Sequence, residues 1–174
     1  MRWTAWTVSL GLAGAAWAED SRGVWLEAED GGRIRIATLH DTGQTYRVEM
    51  ARAPFVDHFL SMRPFKRLEG PQTHWCHVPY PYDQVCISPE VDPTDLKYEF
   101  LFLWKGATEY GINMWNGVYY KLEKADQGWV GMLHEMNMDL LSAPPPVGMT
   151  HPFDTANLEP GDPARFWLPR LVIE

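Results

Sequence analysis

The sequence predicts a mainly β fold, a small antiparallel barrel or a curled two-layer sheet with one short helix and a proline-rich loop region. Three observations carry this: short runs that alternate apolar and polar residues, turn residues between those runs, and an Asn-Gly pair flanked by aromatic-rich segments. With 174 residues, 45% hydrophobic and 22% charged, the chain has the composition of a domain that buries a core.

The first hairpin is expected from Gly23-Val24-Trp25-Leu26-Glu27-Ala28, the turn Glu29-Asp30-Gly31-Gly32 and the alternating Arg33-Ile34-Arg35-Ile36. Asp41-Thr42-Gly43 turns the chain again, and Tyr46, Val48 and Met50 alternate with Arg47 and Glu49 in a third strand. Phe55, Phe59 and Met62 then share one helical face, and Pro64 would end a short helix there. Residues 64 to 95 hold six prolines and both cysteines, which predicts an ordered loop region. Tyr98 to Trp104 reads as a strand covered on both faces. Asn116-Gly117 between Gly111–Trp115 and Val118–Leu122 predicts a tight hairpin, and residues 125 to 128 turn the chain into Trp129–Met136. Pro144-Pro145-Pro146 marks an extended connection, residues 147 to 166 a long surface loop, and Leu171-Val172-Ile173 a last strand. The opening Gly23-Val24-Trp25 strand followed by a meander resembles the start of lipocalin-type barrels. That likeness rests on three residues and implies a barrel. The prolines and the charged, irregular middle fit an outer-membrane barrel poorly.

Residues 1–18 read as a secretory signal: Arg2 gives a positive start, residues 8 to 16 are apolar, and Ala16-Trp17-Ala18 suits cleavage before Glu19. A single β-rich domain, 19–174, and a periplasmic or secreted product are therefore expected. No later apolar run is long enough for a helical membrane span. The formal net charge of -8, one more negative once Arg2 is removed, argues against nucleic acid or anionic lipid as the main partner.

Cys76 and Cys86 are the only cysteines, and an exported chain normally oxidises such a pair. The ring so closed would contribute roughly 3 kcal/mol, less if Pro79 and Pro81 already stiffen it. Two alternatives stay open, a free redox-active pair and a metal site in which His74 and His77 flank Cys76.

The hairpin registers separate two faces. Trp115, Val118, Tyr120, Leu122, Trp129, Gly131 and Leu133 fall on the side expected to face the core. Ile112, Met114, Tyr119, Lys121, Glu123, Val130, Met132, His134, Met136 and Met138 fall on the other. Met132, His134, Met136 and Met138 recur every second residue, and thioether with imidazole suits copper(I), so a compact site of His134 and Met136 with Met132 or Met138 is a candidate. The plainer alternative makes these methionines adaptable filler beneath a covering loop, and a third makes them a surface for a protein partner.

Trp25, Trp75, Trp104, Trp115, Trp129 and Trp167 could stack on a sugar or apolar ligand or simply anchor the core, and Tyr80-Pro81-Tyr82-Asp83 could form a recognition tip. No Gly-x-Ser-x-Gly, His-Glu-x-x-His or phosphate-binding glycine motif occurs, while Asp57-His58, Asp92, Asp95 and Glu135 are loose acid/base candidates. The expectation is an exported binding protein for a metal ion or small ligand, without intrinsic catalysis. The alternatives are an envelope hydrolase or lyase with carboxylates at the barrel mouth, and a structural partner in an envelope complex.

Overall fold

The computed structural model describes residues 20–43, 45–60, 63–78, 96–142 and 158–174. Its strands are β1 (Asp20–Glu27), β2 (Arg33–Asp41), β3 (Tyr46–Met50), β4 (Val56–Leu60), β5 (Arg63–Glu69), β6 (Thr73–His77), β7 (Phe102–Gly106), β8 (Gly117–Ala125), β9 (Gly128–Met136), β10 (Glu159–Pro160) and β11 (Arg170–Ile173). They form one antiparallel sheet in the order β3-β2-β1-β11-β9-β8-β7-β6-β5-β4, with β10 paired to β9. The chain runs outward through β1 to β3, returns through β4 to β9, and the C-terminal β11 joins the two halves by pairing with both β1 and β9. The result is a curled half-barrel, with β3 and β4 at its edges. Among the described residues no helix is long and apolar enough to cross a membrane.

Alternation sorts the side chains. Opposite residues of an antiparallel pair share a face, so the registers assign Val24, Leu26, Leu39, Leu68, Trp75, Phe102, Val118, Tyr120, Leu133, Leu171 and Ile173 to one side, where they merge into a single buried cluster. Strands remote in the sheet order meet in this cluster, so the sheet curls around it and this is the inner face. A bulge between Val24 and Trp25, which leaves Ile36 without a partner on β1, adds local twist in the same half. Residues 161–169 leave the edge of β9 and return to it, bonding Gly161 N to Leu133 O (2.9 Å) and Leu133 N to Pro169 O (2.9 Å). The excursion drops Phe166 and Leu168 into the inner core, and the buried Tyr120 hydroxyl donates to Leu168 O at 2.7 Å.

The outer face carries a smaller core of Val78, Tyr98, Leu101, Leu103, Tyr119, Met136, Met138 and Leu141. Two 3-10 turns cover it, Leu96–Phe100 and Met138–Leu141, the second capped by the Asn137 side chain accepting from Asp139 N. Close approach fixes two glycines. A Cβ on Gly128, whose φ is +148°, would lie 1.8 Å from Ile173 O, and one on Gly117 would lie 2.5 Å from Met136 O.

The outer strands of the first meander, β8, β9, the turn between them and the last strand stand where the sequence puts them, including Tyr119 opposite His134 and Lys121 opposite Met132. Elsewhere the expectations fail. Residues 56–60 are an edge strand, not a helix: Val56-Asp57-His58-Phe59 also has period two, and pairing with β5 satisfies its backbone. Residues 63–69 and 73–77 are strands rather than loop, joined through Gly70-Pro71. The front of the expected strand 98–104 is 3-10 turn, although the coverage of both faces holds, with Phe102 inward and Leu103 outward.

Asn116-Gly117 does not close a hairpin, and 111–115 is not a strand. Asn113 Oδ1 accepts from Trp115 N (3.0 Å) and its carbonyl from Asn116 N (3.0 Å), so the turn falls before Asn116, which then bonds to β7 through Trp104. Trp115 consequently stands outside the core, 70% exposed. The segment after 158 is only partly a surface loop, because it supplies β10 and the inward Phe166. Residues 1–18, Tyr80–Asp83, Cys86, Asp92, Asp95 and Pro144–Pro146 lie outside the described residues.

Candidate functional site

The methionine stripe divides. Met132 is 48% exposed on the outer face between Lys121 and Arg170, two cations that oppose a metal ion beside it. His134 is half-buried, facing Tyr119 and Pro160, with Nδ1 3.0 Å from Met132 O. Met136 and Met138 are buried in the outer core. Met138 follows the strand's end and starts the second 3-10 turn, so the strict alternation stops at Met136. The Cγ atoms of Met136 and Met138 lie 2.8 and 2.7 Å from where a Gly117 Cβ would be, so both side chains fill the space that glycine leaves. The structure thus brings Met136 and Met138 together with Met114 packed alongside and leaves Met132 apart.

The cysteine region separates in the same way. Cys76 and His74 project outward, whereas His77 projects inward between Phe55 and Phe102, with ring centroids 6.4 and 5.3 Å away. His74, Cys76 and His77 therefore cannot share one ion: successive strand residues face opposite sides. His77 Nε2 donates to Glu99 O at 2.6 Å, and loss of water contact in this aromatic setting pushes its pKa down to about 4.

The acid/base candidates do not converge. Asp57 points inward to Lys66 (2.5 Å), its neighbour His58 points outward, and Glu135 is held by Arg165 at 3.1 Å. A surface cleft of about 420 Å³ places Glu29 and Asp30 near Gln72, Arg165 and Trp167, but Asp30 already accepts the Gly32 amide at 2.9 Å to build its turn.

A different group assembles on the outer face of β4 to β7. Register places His58 (β4), Arg67 and Glu69 (β5), His74 and Cys76 (β6) and Lys105 (β7) on one side, with Glu69, His74 and Lys105 in one cross-strand row and Arg67 and Cys76 in the next. Lys105 is only 6% exposed and is the single buried charged residue among the described residues. Its ammonium has no ion pair or hydrogen bond with any of them.

Arg67 has its two terminal nitrogens engaged, Nη1 3.0 Å from His58 Nδ1 and Nη2 on Glu69. Arg67 Nε, His58 Nε2 and His74 Nδ1 are buried without a partner. Because an arginine is always protonated, Arg67 donates to His58 Nδ1, which fixes the neutral imidazole with its hydrogen on Nε2. Loss of water contact, followed by the charges of Arg67, Lys105 and His74, holds His58 below its ordinary pKa, while Glu69 acts the other way. Beneath these groups Cys76 is fully buried, and burial pushes its thiol up against the pull of Lys105 and Arg67.

Two cations thus meet one acid, and that acid is already engaged. Nothing local in the sequence unites these residues. They come together only through the registers of β5 and β6, the strands that sequence reading missed. Comparison of the chain with protein-family models, with curated proteins and with solved structures finds no match.

Proposed function

We propose that this chain is an exported binding protein of the cell envelope, and that it holds a small anion at His58, Arg67, His74 and Lys105. The supporting observation is the nearly buried Lys105, which lacks a counter-charge among the described residues. Its stem is buried and its ammonium has no carboxylate beside it among the described residues, so an anion seated there would gain a charge-assisted contact. In a chain of net charge -8, a concentration of unpaired donors is not a by-product of composition. Export rests on the signal pattern of residues 1–18, and an envelope address favours a Cys76–Cys86 disulfide.

Thermal melting tests the binding reading. Sulfate at about 100 times its dissociation constant should stabilise the wild type by about 2.7 kcal/mol, or roughly 5–10 °C in Tm. Lys105→Met keeps the buried stem, removes the charge, and should melt no lower than wild type in chloride while losing the sulfate response. A wild type indifferent to anions, or a variant that responds equally, overturns the proposal. Cell fractionation tests export, which requires a mature chain beginning at Glu19 in the envelope fraction. Mass spectrometry of that mature protein is expected to find a species two mass units below the reduced form, with Cys76 and Cys86 in one linked peptide. Two free thiols would reject the disulfide.

A further inference from the structure

We infer that the surface cleft beside Trp167 binds a neutral carbohydrate. It shares no lining residue with the anion site above. Three connections meet to form it: the β1–β2 turn with Glu29 and Asp30, the β5–β6 turn with Gln72 and Thr73, and the excursion with Arg165 and Trp167. Its volume, about 420 Å³, falls in the range of small-ligand sites. Each wall is held by its own backbone. Ala28 N donates to Gly32 O at 2.8 Å, Gly70 N to Thr73 O at 3.1 Å, and Arg165 N to Asp162 O at 2.9 Å. Gln72 O also accepts from Ala107 N at 3.2 Å, which ties the second wall to the chain just after β7. The half-buried Trp167 is set against Gly70, where a Cβ would lie 2.7 Å from its Cζ2, and meets Trp75 edge-on at 6.1 Å. The Arg165 guanidinium lies over the rings of Trp104 and Phe166 and reaches Glu135 through Nη1. A ligand therefore meets walls that are already positioned, and little ordering is left to oppose binding.

The lining is mixed both in charge and in hydrogen-bonding sense. The Glu29 and Gln72 side chains bond no described residue, and Asp30 commits only Oδ1, to Gly32 N. Carboxylates accept, the remaining Arg165 nitrogens donate, and the Gln72 amide and Thr73 hydroxyl do both. An anion would meet Glu29 and Asp30, and a cation would meet Arg165. A hydroxyl donates and accepts through one oxygen, so neighbouring hydroxyls on one ring serve both kinds of group and set no charge against either. Trp167 supplies the apolar surface that the C–H face of a sugar ring needs. These requirements coincide in a ligand that is uncharged, ring-shaped and multiply hydroxylated.

Titration calorimetry of the mature protein at pH 7 tests this with maltotriose, cellotriose, mannotriose and triacetylchitotriose, against trigalacturonate and deacetylated chitotriose as charged counterparts. At least one neutral trisaccharide is expected to bind with a Kd of about 1 mM or tighter. It should bind at least tenfold more tightly than either charged trimer. Glu29→Ala combined with Gln72→Ala removes two exposed side chains, so Tm should stay unchanged while sugar affinity falls at least tenfold. Lys105→Met should leave sugar binding within twofold of wild type, so that failure of the anion site and failure of the cleft are read separately. Absence of binding by all four neutral sugars, or tighter binding of a charged trimer, would overturn the inference. Undiminished sugar binding in the double variant would overturn its placement in this cleft.

Discussion

Trp75→Ala should destabilise the protein by about 3–5 kcal/mol and lower Tm by roughly 10 °C or more. Trp75 is fully buried, and its ring lies 5.8 Å from Phe102, 6.1 Å from Trp167, and 6.4 Å from both Tyr120 and Phe166. It therefore joins three parts of the inner core: the β6–β7 half of the sheet, β8, and the excursion 161–169. Truncation leaves a void that these partners cannot all close, because each is anchored in a different element. Near-ultraviolet circular dichroism should lose intensity alongside the drop in Tm. Trp115→Ala is the matching control: with Trp115 70% exposed and making one indole bond to Asp139 at 3.2 Å, its removal should change stability by no more than about 0.5 kcal/mol. Similar losses in the two variants would contradict the assignment of inner and outer positions.

Acidification should cost up to about 3 kcal/mol through His77 alone. Its folded-state pKa is near 4, whereas an unfolded histidine titrates near its ordinary value of 6.5. Above the unfolded value both states hold the neutral ring, so the group leaves stability unchanged. As pH falls from about 6.5 to about 4, the unfolded state takes up a proton that the folded state resists, and stability declines through that window. Below it the loss is complete and constant. Urea unfolding at pH 7.5, 5.5 and 4.5 measures this, with His77→Gln as reference, since contributions from other groups are common to both proteins. The wild type should lose about 2.5 kcal/mol more than the variant between pH 7.5 and 4.5. Parallel pH profiles would show that the ring is charged, or solvated, in the folded state.

The parts of the fold legible in the sequence are those where period two coincides with turn chemistry. Arg33 to Ile36, Tyr46 to Met50 and the reversal at 125–128 all combine the two, and their registers follow. Asn116-Gly117 misleads because Asn113 competes for the same turn by bonding the Trp115 amide, so the reversal begins three residues earlier and β7 becomes the neighbour of β8. Val56 to Leu60 misleads because Phe55 and Phe59 satisfy a helical spacing as well as a strand one, and the deciding pairing with β5 is not a local property.

The methionine stripe was visible as a pattern, but its division between a filled outer core and a cationic flank depends on the 3-10 turns that cover only one end of it. The anionic-ligand site was invisible for a similar reason. His58, Arg67, His74 and Lys105 are individually ordinary, and only four successive strands in register make them neighbours.

Anomalous diffraction from crystals soaked in selenate, which shares the shape and protonation of sulfate, addresses the central claim directly. The account expects one strong selenium peak whose oxygens reach Lys105 Nζ, Arg67 Nε and His58 Nε2, with selenium about 4 Å from each nitrogen, absent from crystals of Lys105→Met. A peak elsewhere with this position empty, or no peak while selenate fills the solvent channels, would contradict it.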